Sequence, residues 1–176
     1  MRILELCKLR FGESVLQNCE VMLKDIADSH RVNKNIHELG DDGSISTVDA
    51  TIISRYFWPE EITQFRSQGS DGMNEGESVK LHPRIQAMMD EYGRRFTQIK
   101  TPRKLLWKPH AGRITLELEL GQHRQQPLNV HVSPIHASIV LFFEDRPCWT
   151  VGELATTMGL PSDGVHKRLL FWVGNG

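Results

Sequence analysis

The sequence predicts an α+β protein: the end of a helical bundle, then a small antiparallel sheet with a packed helix, then a three-helix winged-helix-like unit. Three patterns carry that prediction. Apolar residues recur at helical spacing over residues 1–40 and again over 82–101, apolar and polar residues alternate strictly along Arg113–Leu120, and capped helical segments punctuated by glycine fill 133–176. The composition agrees, since 176 residues with 39% hydrophobic and 24% charged side chains are those of an ordinary globular protein. A chain of that length buries roughly 70% of its unfolded surface, enough for a core without metal or disulfide.

In order along the chain, Met1–Phe11 alternates charge with Leu and Ile and reads as the tail of an amphipathic helix. It lacks the apolar stretch and small-residue cleavage site of a signal peptide. After Gly12, Ser14 is expected to cap a helix whose inward stripe is Val15, Leu16, Cys19, Met22, Leu23 and Ile26. That helix runs to about Leu39, where the Gly40–Ser44 turn cluster stops it and ends the bundle segment, 1–40.

The sheet region, 41–132, begins with Val48–Phe57. β-branched and aromatic residues dominate it, so it reads as a strand, closed by Pro59. Pro59–Leu81 is polar and aperiodic, a long loop. His82-Pro83 opens a helix with Ile85, Met88, Met89, Tyr92, Phe96 and Ile99 inward, ended by Pro102. Lys104–Trp107, Arg113–Leu120 and Leu128–Val132 then read as strands, giving a meander of three or four.

From 133 on, Ser133-Pro134 is a cap followed by proline at the first helical position. Thr150-Val-Gly-Glu153 is a capping box, Gly159 a helix stop, and Ser162 the expected cap of a last helix with Val165, Leu169, Leu170 and Trp172 inward. The four tryptophans, Trp58, Trp107, Trp149 and Trp172, are expected to tie sheet and helices into one core.

Little chemistry is written into the chain. The eight histidines form no HExxH motif, and the nearest pair, His131 and His136, is split by the Ser133-Pro134 break, so no metal and no cofactor are expected. Cys7, Cys19 and Cys148 have no CxxC spacing and read as small buried hydrophobes in a reducing compartment. No nucleophile elbow or phosphate loop is present, so the chain is not read as an enzyme. The longest run dominated by apolar residues, Ala137–Phe143, falls far short of the roughly 20 needed to cross a bilayer.

Net charge is −1, which does not favour bulk nucleic-acid binding. Seven basic residues without an acidic one do cluster between Tyr92 and Leu116, and the Ser162–Trp172 helix carries Lys167 and Arg168. A winged-helix nucleic-acid-binding regulator is therefore the alternative reading, one with steep salt dependence. A sheet of so few strands also has an edge that must be covered or joined by a partner strand.

Several segments together resemble the cullin-homology family of ubiquitin-ligase scaffolds. They are Val21-Met-Leu-Lys-Asp-Ile-Ala-Asp-Ser29, Tyr56-Phe-Trp-Pro59, Leu105-Leu-Trp-Lys-Pro-His-Ala-Gly112 with Arg113–Leu120, and Trp149–Leu154 through Leu169 to Trp172. Cys19-Glu-Val-Met-Leu-Lys-Asp is closer to the anaphase-promoting-complex branch than to ordinary cullins. The resemblance implies a non-catalytic scaffold, in nucleus and cytoplasm, whose sheet takes up a strand from a small zinc-holding RING-finger subunit. The partner-binding residues it implies are Thr51, Ile52, Ile53, Ser54 and Trp58 on one strand and Lys104, Leu105, Leu106 and Trp107 on the other. It also implies a fragment, without the family's N-terminal stalk and last winged-helix domain, through which other subunits would be reached.

Overall fold

The computed structural model describes residues 2–39, 47–59, 79–119 and 127–175. The turn expected at Gly40–Ser44 and most of the loop expected over Pro59–Leu81 lie outside these residues. Two compact units are present, one made of the described parts of 1–65 and 88–105, the other of 66–87 and 106–176.

In the first unit, α1 (Arg2–Phe11) and α2 (Glu13–Glu38) are separate helices that pack on each other. The break is Gly12 at φ 88°, a conformation that costs glycine nothing and other residues dearly. Gly12, not Ser14, is the N-cap, and Ser14 lies inside the first turn. The inward stripe expected for this helix is also displaced. Cys19 is exposed and Leu23 is 52% exposed, whereas Ser29, Val32, Asn33 and Ile36 are buried. The cause lies in what covers α2: its C-terminal half is overlaid by the segment Val48–Ser54 and by the later turns of α3 (Pro83–Ile99), whose Tyr92 and Phe96 join Val32 and Ile36 in the core.

The second unit holds a two-stranded antiparallel ribbon, β1 (Ile114–Leu118) and β2 (Leu128–Val132), with Leu116 opposite Val130. The expected alternation is present: Ile114, Leu116 and Leu118 are partly buried, Thr115 and Glu117 exposed. The expected third and fourth strands are not. Neither Val48–Phe57 nor Lys104–Trp107 belongs to a sheet among the described residues. Helix α4 (Pro134–Asp145) packs on the ribbon, and its start lies so close to Gly112 that a Cβ there would meet Pro134 Cγ at 2.9 Å.

Three of the expected helix end signals in this unit are in place. Ser133 accepts from the His136 N–H, Thr150 and Glu153 form the reciprocal capping box of α5 (Val151–Met158), and Gly159 ends α5 in the left-handed conformation. Helix α6 (Ser162–Asn175) follows, with Ser162 as its first residue rather than its cap. Trp149 donates to the Phe142 carbonyl at 2.9 Å and Trp172 to that of His136 at 3.2 Å, so these two rings bind α4 to its successors. No helix among the described residues is long and apolar enough to cross a membrane.

Candidate functional site

The segment Val48–Ser54, expected as a strand, belongs to no sheet among the described residues. It is extended, as expected of a strand, but its partner is a row of side chains on α2. Asp25, Ser29, Asn33 and His37 stand four residues apart, hence on one helix face. They meet Ser54, Ile52, Ala50 and Val48, two residues apart and running the opposite way. The two repeats match because four helical residues rise about 6.0 Å and two extended ones about 6.6 Å. Side chains of adjustable reach absorb the remainder.

Each rung satisfies backbone groups as a neighbouring strand would. His37 Nε2 donates to the Val48 carbonyl at 2.9 Å. The Asn33 amide engages Ala50 twice, Nδ2 donating to its carbonyl at 3.2 Å and Oδ1 accepting from its N–H at 3.1 Å. Ser29 Oγ accepts from the Ile52 N–H at 2.8 Å and lies 3.2 Å from the Ile52 carbonyl. The Asp25 carboxylate accepts from the Ser54 N–H at 2.7 Å, the Ser54 hydroxyl at 2.9 Å and Trp58 Nε1 at 2.8 Å.

Helix α3 braces this row. The buried Tyr92 hydroxyl donates to Asn33 Oδ1, and burial, with the negative charge of Asp49, pushes that phenol up to about 12. Arg95, buried, donates from Nη1 to the Ile36 carbonyl near the end of α2 and from Nε to Glu91. Glu91 also takes Arg94, and the two guanidinium groups, Arg94 first, hold its carboxyl down to about 2.

In an extended chain the N–H and C=O of successive residues point to opposite edges. With the even residues turned to α2, those of Asp49, Thr51 and Ile53 face away, and among the described residues none of these backbone groups is hydrogen-bonded. The expected site residues therefore divide. Thr51 and Ile53 lie on the open edge, Ile52 and Ser54 on the closed one, and Trp58 is tied to Asp25 beyond it. Lys104 and Leu106 are exposed and Leu105 and Trp107 half-buried, in a stretch that forms no strand. No hydrogen bond joins Thr51–Ser54 to Lys104 or Leu105 among the described residues.

Chemistry of other kinds is sparse. His131 bonds Thr115 and His136 bonds Ser133, and no group of three or more His, Cys, Asp or Glu among the described residues is placed to hold a metal. Burial, then the nearby Arg168, lowers the His136 pKa. Cys19 and Cys148 are exposed and Cys7 half-buried, against the expectation of buried thiols, because the faces that carry them are not covered within their own units. On α6, Arg168 turns back on its own helix and donates to the Gly164 carbonyl at 2.8 Å, while Lys167 is exposed.

Residues 52–173 match the model of the cullin alpha+beta domain, which is more than half of the chain. The chain belongs to the cullin family. Among curated proteins it is similar to anaphase-promoting complex subunit 2 of Arabidopsis thaliana, 36% identical over the whole chain, and of Homo sapiens, 35% identical over the whole chain. The subunit 2 of Dictyostelium discoideum is 34% identical over 98% of it. The chain spans only about a fifth of these relatives, 19%, 20% and 19% of their lengths. The family resemblance read from the residues is thus shown, and the α+β class with it.

Asp25, Ser29, Asn33 and His37, which hold the segment, are not among the site residues expected from the sequence. Their signal was present, a row of polar residues at every fourth position of a long helix.

Proposed function

We infer that this chain is a scaffold segment of a cullin–RING-type ubiquitin ligase of the anaphase-promoting-complex kind, contributing geometry and no catalytic group. We further infer that it docks a small RING-finger subunit by strand addition on the edge formed by Asp49, Thr51 and Ile53. One observation carries the docking: an extended segment whose inner edge is satisfied by helix side chains and whose outer edge presents backbone groups with no partner among the described residues. Such a segment is ready to receive a strand, because its conformation is set before the partner arrives. The family match and the names of the relatives support the complex. The zinc belongs to the partner in this reading, and the site of action is nucleus and cytoplasm, to be checked by imaging a tagged chain.

The test is co-expression with the RING-finger subunit, followed by size-exclusion chromatography at low and high salt. Main-chain pairing predicts co-elution that survives high salt. Ile53→Pro deletes an N–H on the open edge and leaves the α2 rungs in place, so it should abolish co-elution with an unchanged circular dichroism spectrum. Co-elution that persists in Ile53→Pro overturns the edge, and a wild-type chain that elutes alone overturns the docking.

A further inference from the structure

Main-chain bonds select an extended partner without selecting which one, so discrimination must come from side chains beside the edge. The open edge supplies little of it. Its own side chains are Asp49, Thr51 and Ile53, two small polar groups and a half-buried aliphatic one. Immediately beyond it stands a different kind of surface. Ser54–Phe57 is a turn in which the Phe57 N–H donates to the Ser54 carbonyl at 3.2 Å. Both ends are fixed on one carboxylate, Asp25, which takes the Ser54 N–H and hydroxyl on one side and Trp58 Nε1 on the other. The turn presents Tyr56, 88% exposed, with Phe57 at 37% and the exposed Arg55 beside it. Neither Arg55 nor Tyr56 has an ion-pair or hydrogen-bond partner among the described residues.

A lone exposed aromatic residue needs no explanation. An aromatic residue on a turn held by three hydrogen bonds to a single carboxylate, three residues past an open strand edge, does. Three bonds remove the backbone freedom that a loop would otherwise lose on binding, and a tyrosine has only two side-chain torsions left to order. We propose that the Arg55–Tyr56–Phe57 turn is the specificity element of the docking edge. Tyr56 seats in an apolar concavity of the strand-donating subunit, and Arg55 meets an acidic group at its rim. Asp25 acts as a positioning residue that holds the turn. This rests on the strand-docking reading above and adds which side chains choose the partner.

The experiment is titration of the whole chain with the RING-finger subunit by isothermal calorimetry, with unfolding midpoints measured in parallel. Tyr56→Ala should weaken binding about 30-fold, the size of an interface hot spot, with an unchanged midpoint. Tyr56→Phe should bind within about threefold of wild type, since the ring and not the hydroxyl fills the pocket. Ile53→Pro is run beside them. If it abolishes binding while Tyr56→Ala binds as wild type, the turn is not the specificity element and strand docking stands. If the wild-type chain does not bind, both readings fail together.

Discussion

Asn33 is the rung whose removal is most informative. Asn33→Ala strips the partner from the Ala50 N–H and the Ala50 carbonyl and takes one acceptor from the Tyr92 hydroxyl, which is itself fully buried. A buried polar group left without a partner costs roughly 1–3 kcal/mol; with Ala50 half-exposed and open to water, the three together should cost roughly 2–4 kcal/mol. Asn35→Ala, two residues along the same helix and exposed, removes no such contact and should fall within about 0.5 kcal/mol of wild type. Urea unfolding followed by circular dichroism measures both. Amide exchange adds a local readout: Ala50, Ile52 and Ser54 should be protected and Asp49, Thr51 and Ile53 should exchange fast, with Ala50 losing its protection in Asn33→Ala. Equal costs for the two variants, or no alternation along the segment, would refute the helix-side-chain ladder.

Two further predictions concern pH. Tyr92 has its folded pKa raised to about 12 from an ordinary 10, so the stability it contributes as a neutral phenol is full below pH 10 and is lost as pH rises through 12. Stability should fall over that window, Tyr92→Phe should remove this part of the slope, and a slope unaltered by the substitution would contradict the buried phenol. Glu91, held down to about 2 by Arg94 and Arg95, works in the opposite direction. Its contribution is present above about 4.5 and is lost as pH falls through 2; Glu91→Gln should flatten acid unfolding in that range, and parallel acid curves for the two proteins would show the ion pairs to be irrelevant to folding.

Most of the second unit was legible because its signals are local. A proline at the first helical position, a Thr-to-Glu capping box and a glycine at a helix stop are short-range devices, and each acts within a few residues of where it is written. The alternation of β1 was legible for the same reason, since side chains on a pleated strand change face at every residue. Val48–Ser54 shows where local reading ends. Its β-branched composition is compatible with extension, and extended it is, yet composition says nothing about what lies alongside.

By itself, then, the sequence determined the helices, the end signals at Ser133, Thr150 and Gly159, the alternation of the ribbon and the family. Tertiary structure alone decided that the segment Val48–Ser54 pairs with a helix and not with a strand. It does so because Asp25, Ser29, Asn33 and His37 repeat at nearly the spacing of alternate residues in an extended chain, and only the fold brings the two repeats face to face. The same arrangement decided which edge is left open. Once the even residues are turned to α2, chain geometry leaves Asp49, Thr51 and Ile53 to face outward.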